Sequence, residues 1–246
     1  MTEPVLRVRN LSARYGTRPV LFGIDLTITR GDWFALLGPN GSGKTTLLHC
    51  LSGQLTPVGG DNIHIGGHSI LSSPQEAKRL LGYAHPPEQL PGLLTGRQCL
   101  EVYAAARSLP EIGKEIMDLV GALRLAAVLD QLLDTYSLGM RQKLGAVLAL
   151  LGDPALVVLD EVFNGLDPAG AVILKRHLRE RVLDRRCGVL LATHALDIVL
   201  RYATHAALLL DGRLAKHWDA DQLEAMRMDG ADALELALAT SAEGAG

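Results

Sequence analysis

The run Gly38-Pro39-Asn40-Gly41-Ser42-Gly43-Lys44-Thr45 follows an apolar stretch, Trp33 to Leu37, and opens directly into Lys44 to Leu51, which has helical character. Strand, glycine loop and helix in that order fit the phosphate-loop pattern in full. Each position has a physical reason. Glycines let the backbone curl so that successive N–H groups point at phosphate oxygens, and the following helix offers the positive end of its dipole. Lys44 is placed to reach the outer phosphates, and the Thr45 hydroxyl to hold Mg²⁺. The other common glycine motif, the dinucleotide fingerprint, fails because Thr46 stands where its third glycine is required.

Around this unit the chain reads as alternating strands and helices. Val5 to Leu37 carries short strands at Leu6 to Val8, Leu21 to Ile28 and Trp33 to Leu37. Further strands are expected at Ile63 to Ile65, between paired glycines, and at Leu80 to Ala84. Thr95 to Leu151 is rich in Leu and Ala at helical spacing with Thr95 available as a cap, which predicts an inserted helical subdomain over about residues 86–152. Ala155 to Leu159 and Gly188 to Ala192 are continuous apolar runs of the kind buried on both faces, with a helix between them from Pro168 to Arg186. A turn at Asp211-Gly212, a short strand and a terminal helix close the chain, and residues 241–246 are expected to fray. The expected fold is therefore α/β, a P-loop NTPase with a mainly parallel core sheet, an N-terminal antiparallel β subdomain and an inserted α-helical subdomain, in a single domain over residues 1–246.

Leu159-Asp160-Glu161 places two acids at the end of an apolar strand, at the carboxyl edge where open α/β sheets bind ligands. Asp160 is positioned for the Mg²⁺ shell and Glu161 to polarise an attacking water. Composition removes other classes. With 24 basic against 27 acidic residues, the chain lacks the basic excess of a protein that coats nucleic acid. Cys50, Cys99 and Cys187 have no paired spacing, so neither a zinc knuckle nor a disulfide framework is expected, and a reducing compartment is the simplest reading. Met1 to Asn10 shows no secretory pattern, and the longest apolar run, Leu144 to Gly152, is about half of what a bilayer span needs. His64 and His68 are separated by glycines, which predicts a hairpin and not a metal-binding helix face. The basic run from Lys175 to Arg186 is interleaved with Leu174, Leu178 and Val182 and reads as a solvated amphipathic helix.

These residues resemble the nucleotide-binding subunit of ATP-binding-cassette (ABC) transporters, over about Val5 to Leu223. Tyr15 resembles the aromatic residue that stacks on adenine in that family. Tyr136-Ser137-Leu138-Gly139-Met140 is similar to its signature, and the resemblance implies that Ser137 and Gly139 contact the γ-phosphate of ATP held by an opposite subunit. Asn164-Gly165-Leu166-Asp167 resembles the dimer-contact loop, and His194 the switch histidine that senses the γ-phosphate. The resemblance thus implies an ATPase with ATP and Mg²⁺, working as a homodimer or heterodimer of nucleotide-binding subunits with a separate transmembrane permease, at the cytoplasmic face of the inner or plasma membrane. The Ser-Leu-Gly-Met and Asn-Gly-Leu-Asp-Pro wording resembles the exporter branch, and no nucleic-acid partner is expected. The chain departs from the family pattern in several places. Register puts Pro86 where a loop glutamine is usual, with Gln89 nearby, Val162-Phe163 replaces Pro-Thr after Glu161, and Met140 replaces the signature glutamine. A soluble ABC-type ATPase acting on nucleic acid or the ribosome, and a catalytically weak nucleotide-binding subunit, stand as alternatives.

Overall fold

Pairing sets the lengths of the first elements in the computed structural model, which describes residues 3–229, 234, 235 and 238. β1 (Pro4–Tyr15) and β2 (Arg18–Thr29) form a hairpin around Gly16 and Thr17, and their ladder carries both well past the short runs expected from sequence. Leu6, Val8, Leu11 and Ala13 face inward while Arg7, Arg9 and Arg14 face outward, with a register shift where Asn10 takes φ 46°. β3 (Trp33–Leu37) is buried on both faces and leads through Gly38 to Gly43 into α1 (Lys44–Leu51), with the predicted bounds. β4 (Ile63–Ile65) and β5 (His68–Ser69) pair across Gly66 and Gly67, so His64 and His68 lie on a hairpin as expected. β2, β1, β4 and β5 make one antiparallel sheet in that order.

α2 (Pro74–Arg79), which the sequence does not announce, precedes β6 (Leu81–Tyr83). It is too short for an apolar period and is held by Ala77, which is buried. α3 (Gly96–Ala106), α4 (Lys114–Ala122) and α5 (Leu138–Leu150) occupy the span read as a helical insertion. Thr95 caps α3 in a full capping box with Gln98. β7 (Leu156–Asp160), α6 (Pro168–Leu183), β8 (Gly188–Ala192), α7 (Leu196–Tyr202), β9 (His205–Leu210), β10 (Arg213–Trp218) and α8 (Ala220–Asp229) follow.

The second sheet runs β10-β9-β3-β8-β7-β6, with β10 antiparallel at one edge and the other strands parallel. The fold is thus α/β with a mainly parallel core sheet and a separate antiparallel sheet, as expected. β3 shows why its sequence is apolar throughout. Phe34 and Leu36 pack with Leu6, Ile24, Leu47 and Leu48, whereas Trp33, Ala35 and Leu37 pack with the helices' side, including Leu144, Leu174 and Val199. Each large side chain buried this way contributes roughly 1.5–3 kcal/mol.

α6 corrects the reading of the basic run. Leu174, Leu178 and Val182 are buried as expected, but Arg181 is only 2% exposed, ion-paired with Glu115 of α4 and with Asp153. The helix also stops at Leu183, because Arg185 takes a left-handed φ of 52°. Cys50, Cys99 and Cys187 are buried and free. Among the described residues no helix is long and apolar enough to cross a membrane. The frayed end expected over residues 241–246 lies outside the described residues.

Candidate functional site

Leu36 of β3 and Asp160 of β7 both pair level with Ala192 of β8. Three segments therefore leave the carboxyl edge of the sheet side by side: Gly38 to Gly43 after β3, Glu161 after β7, and Thr193-His194 after β8. The first two line a cleft of about 190 Å³, made by Pro39, Asn40, Gly41, Gly43 to Thr46, Asp160 and Glu161, with Val20 from β2, and His194 lines an adjoining cavity with Gly38 and Pro39.

The loop needs its glycines at this edge. Gly38, Gly41 and Gly43 have φ of 155°, 82° and 109°, which side-chain-bearing residues rarely adopt. At Gly38 a Cβ would strike the Leu209 carbonyl oxygen and Ser42, and at Gly43 it would lie 2.8 Å from Leu21 Cδ2. Gly43 is also the N-cap of α1 and no side chain caps that helix, so its first amides face the cradle. Lys44 is 8% exposed, and its ammonium donates to the Gly38 and Pro39 carbonyls at 2.6 and 3.1 Å. One positive charge is thus held inside the loop.

The Thr45 hydroxyl donates to Asp160 Oδ2 at 3.0 Å. Burial raises the Asp160 pKa, with the neighbouring Glu161 adding to it, against the Thr45 hydrogen bond and the charges of Lys44 and His49. An ionised carboxylate at this position is short of compensating charge, which a divalent cation supplies. Hydroxyl and carboxylate oxygens together suit Mg²⁺, which takes one or two protein ligands plus substrate phosphates.

Glu161 departs from the strand with a left-handed φ of 47°, and its amide donates to the Ala192 carbonyl at 3.0 Å. That turn brings its carboxylate to His194, whose Nδ1 lies 2.9 Å from Oε1. Oε2 accepts from Asn164 Nδ2 at 2.9 Å and from the Thr193 hydroxyl at 3.4 Å. Asn164 and Thr193 are the partners that sequence reasoning missed at this carboxylate. The available signal was only the short Glu-to-Asn spacing in a turn and the adjacency of Thr193 to His194.

Other candidates lie apart. Tyr15 ends β1 and does not line the cleft, and its hydroxyl is 3.1 Å from His49 Nδ1. Ser137 caps its own helix α5 by accepting from the Met140 amide at 3.2 Å. Gly139 packs beside the Gly165 carbonyl, so neither signature residue enters the cleft of its own chain. Asp167 caps α6 by accepting from the Gly170 amide at 2.9 Å and is ion-paired with Lys143, which with that amide holds its carboxyl below the usual range. Gln89 sits on a 3₁₀ turn after Pro86 and its Oε1 lies 3.5 Å from His85 Nδ1. Val162 and Phe163 are buried.

An open α/β sheet carrying this loop and acid pair at its carboxyl edge defines a P-loop NTPase. A family profile described as "ABC transporter" matches residues 21–164, and the chain belongs to that family. Among its relatives, the Bacillus subtilis "Uncharacterized ABC transporter ATP-binding protein YdbJ" is 37% identical over 216 residues, covering 87% of this chain and 69% of that protein. Rattus norvegicus "ATP-binding cassette sub-family A member 7" is 36% identical over 213 residues, 85% of this chain but 10% of that protein. The chain thus spans a tenth of that larger relative. A solved structure described as "Structure of ATP binding subunit of ABC transporter" superposes with a TM-score of 0.82 at 30% identity, covering 96% of this chain and 99% of the other. The dimer of the cassette MJ0796 bound to ADP and Pi superposes with a TM-score of 0.76 at 18% identity, over 87% of this chain and 98% of the other, and shows the shared fold. The chain is an ABC-type ATP-binding domain, and the family is one of ATPases.

Proposed function

We propose that this chain binds and hydrolyses Mg·ATP to drive a separate membrane-spanning exporter, acting as one of two nucleotide-binding subunits at the cytoplasmic face of the membrane. The observation that carries the reading is the convergence, at one sheet edge, of the phosphate loop, the Thr45–Asp160 pair and the Glu161–His194 pair.

In this reading the amides of Asn40 to Thr46 and the Lys44 ammonium bind the β- and γ-phosphates. Lys44 exchanges its two carbonyl partners for phosphate oxygens. Thr45 and Asp160 hold Mg²⁺, which neutralises phosphate charge when bound. Glu161 accepts a proton from the water that attacks the γ-phosphorus in line, as the bond to the leaving ADP oxygen breaks and inorganic phosphate forms. His194 orients Glu161 and senses the γ-phosphate, and Asn164 fixes the second carboxylate oxygen. Tyr15 stacks on the base. Ser137, Gly139 and the Asp167 loop act on the site of the opposite subunit, as their likeness to the family's signature and dimer-contact loop implies, and in their own chain they stand outside the cleft.

Helices of the membrane partner dock on the helical insertion. An open groove of about 610 Å³ between α2, β6 and α3 supports this. It carries Lys78, Arg79 and Arg107, with no carboxylate on its walls among the described residues. The likeness of Ser137 to Met140 and Asn164 to Pro168 to the exporter branch supports outward transport.

Glu161→Gln tests the chemistry. The variant is expected to bind ATP as the wild type does, to release phosphate about 100-fold more slowly or worse, and to accumulate as an ATP-bound dimer on size exclusion. Undiminished turnover rejects Glu161 as the base.

A further inference from the structure

We infer that His49 is a positioning residue for base recognition: it holds the Tyr15 ring, through the ring hydroxyl, in the orientation that meets the base of the bound nucleotide. The inference rests on the reading of Tyr15 as the base-stacking residue and adds the group that controls it.

Tyr15 is the last residue of β1, just before Gly16 turns the hairpin at φ 58°. Tyr15 is 49% exposed, so packing alone does not fix its ring. The polar contact its hydroxyl makes is with His49 Nδ1 at 3.1 Å. His49 is well anchored in turn. It lies half-buried in the last turn of α1, and its carbonyl accepts from the Gln54 and Leu55 amides at 2.9 and 3.1 Å and from the Ser52 hydroxyl at 3.2 Å.

His49 also follows Thr45 by four residues, which puts both on one face of α1, about 6 Å apart along its axis. Thr45 is tied to Asp160 at the phosphate end and His49 to Tyr15 at the base end. One short helix therefore sets the spacing between the phosphate cradle and the aromatic ring. A ring that is already oriented loses less rotamer freedom when a base stacks on it, so the hydrogen bond acts on affinity for the nucleoside part alone.

The test measures dissociation constants of the whole chain, with magnesium, for ATP and for inorganic triphosphate, which has no base to stack. His49→Ala and Tyr15→Phe are each expected to weaken ATP binding roughly 2–10-fold, the worth of one ordinary hydrogen bond. Triphosphate binding is expected to stay unchanged in both. The double variant should bind ATP no more weakly than either single variant, and His49→Gln, which keeps a hydrogen-bonding group, should recover most of the loss.

If Tyr15→Ala weakens ATP binding while Tyr15→Phe and His49→Ala leave it unchanged or tighter, the positioning role is overturned and the stacking role stands. If Tyr15→Ala also has no effect, the stacking role itself fails. Equal losses for ATP and triphosphate in His49→Ala place the effect on the phosphate loop and overturn the inference. Tyr15→Phe leaves α1 untouched, so it decides the matter even if His49→Ala melts early.

Discussion

Asp160 and Glu161 are adjacent carboxylates with different surroundings. Glu161 has its oxygens engaged by His194, Asn164 and Thr193, whereas Asp160 has the Thr45 hydroxyl and a pKa raised by burial. A carboxyl whose folded pKa lies above its ordinary 3.8 contributes stability that is present below that value and lost as pH rises through the raised one. Asp160 therefore destabilises the nucleotide-free chain at neutral pH. Asp160→Asn is expected to melt at a higher temperature than wild type at neutral pH, with the gap closing as pH falls toward the ordinary value, while magnesium-dependent phosphate release is lost. Melting curves over that range, beside activity, check both halves. Both acids were legible in the sequence because they end an apolar strand. The left-handed turn at Glu161, which costs about 1–3 kcal/mol, was not, because a positive φ at a glutamate is imposed by its surroundings.

α4 and α6 are joined by a charge cluster in which Glu115 meets Arg181 at 3.0 Å, Arg186 at 2.9 Å and His177 at 3.4 Å, with Asp153 also paired to both arginines. Burial works against the Glu115 carboxylate, but the Arg186 hydrogen bond and the charges of Arg181 and Arg186 outweigh it and hold its pKa below the ordinary 4.5. The stability this gives is present above that value and is lost as pH falls. Glu115→Gln removes one of the two negative charges on a buried guanidinium and, because Glu115 is itself 43% exposed and Asp153 still pairs with Arg181, is expected to cost only about 1 kcal/mol at neutral pH. Urea unfolding at neutral and acidic pH should show the cost fade as Glu115 protonates in the wild type. No periodicity announces such a cluster. Leu174, Leu178 and Val182 locate the buried face of α6, but whether Arg181 lies in water or under α4 depends on where α4 docks. α1 was legible to the residue because its start is the phosphate loop, while α2 was invisible because six residues cannot show a helical repeat.

In the proposed head-to-tail arrangement the chain supplies half of each of two sites. The cleft has the phosphate loop and acids, while Ser137 and Gly139 sit at the start of α5, outside it. Lys44→Ala chains and Ser137→Arg chains should each be inactive alone, yet a mixture should recover part of the wild-type phosphate release, because one composite site then joins an intact loop to an intact signature. A mixture as inactive as its parts rejects the head-to-tail arrangement. Wild-type turnover per chain should also rise with protein concentration.

The local grammar of this chain was readable without coordinates: the glycine loop, the apolar strands buried on two sides, the helix cap at Thr95 and the hairpin at Gly66-Gly67 each depend on residues close together in the chain. Long-range pairing decided the rest. β1 and β2 lengthen because each supplies the other's hydrogen bonds, and Glu161 reaches His194 because β7 and β8 pair in register. Likewise, Tyr15 turns to His49. Such contacts join residues far apart along the chain, and only the packed sheet and its helices bring them within hydrogen-bond range.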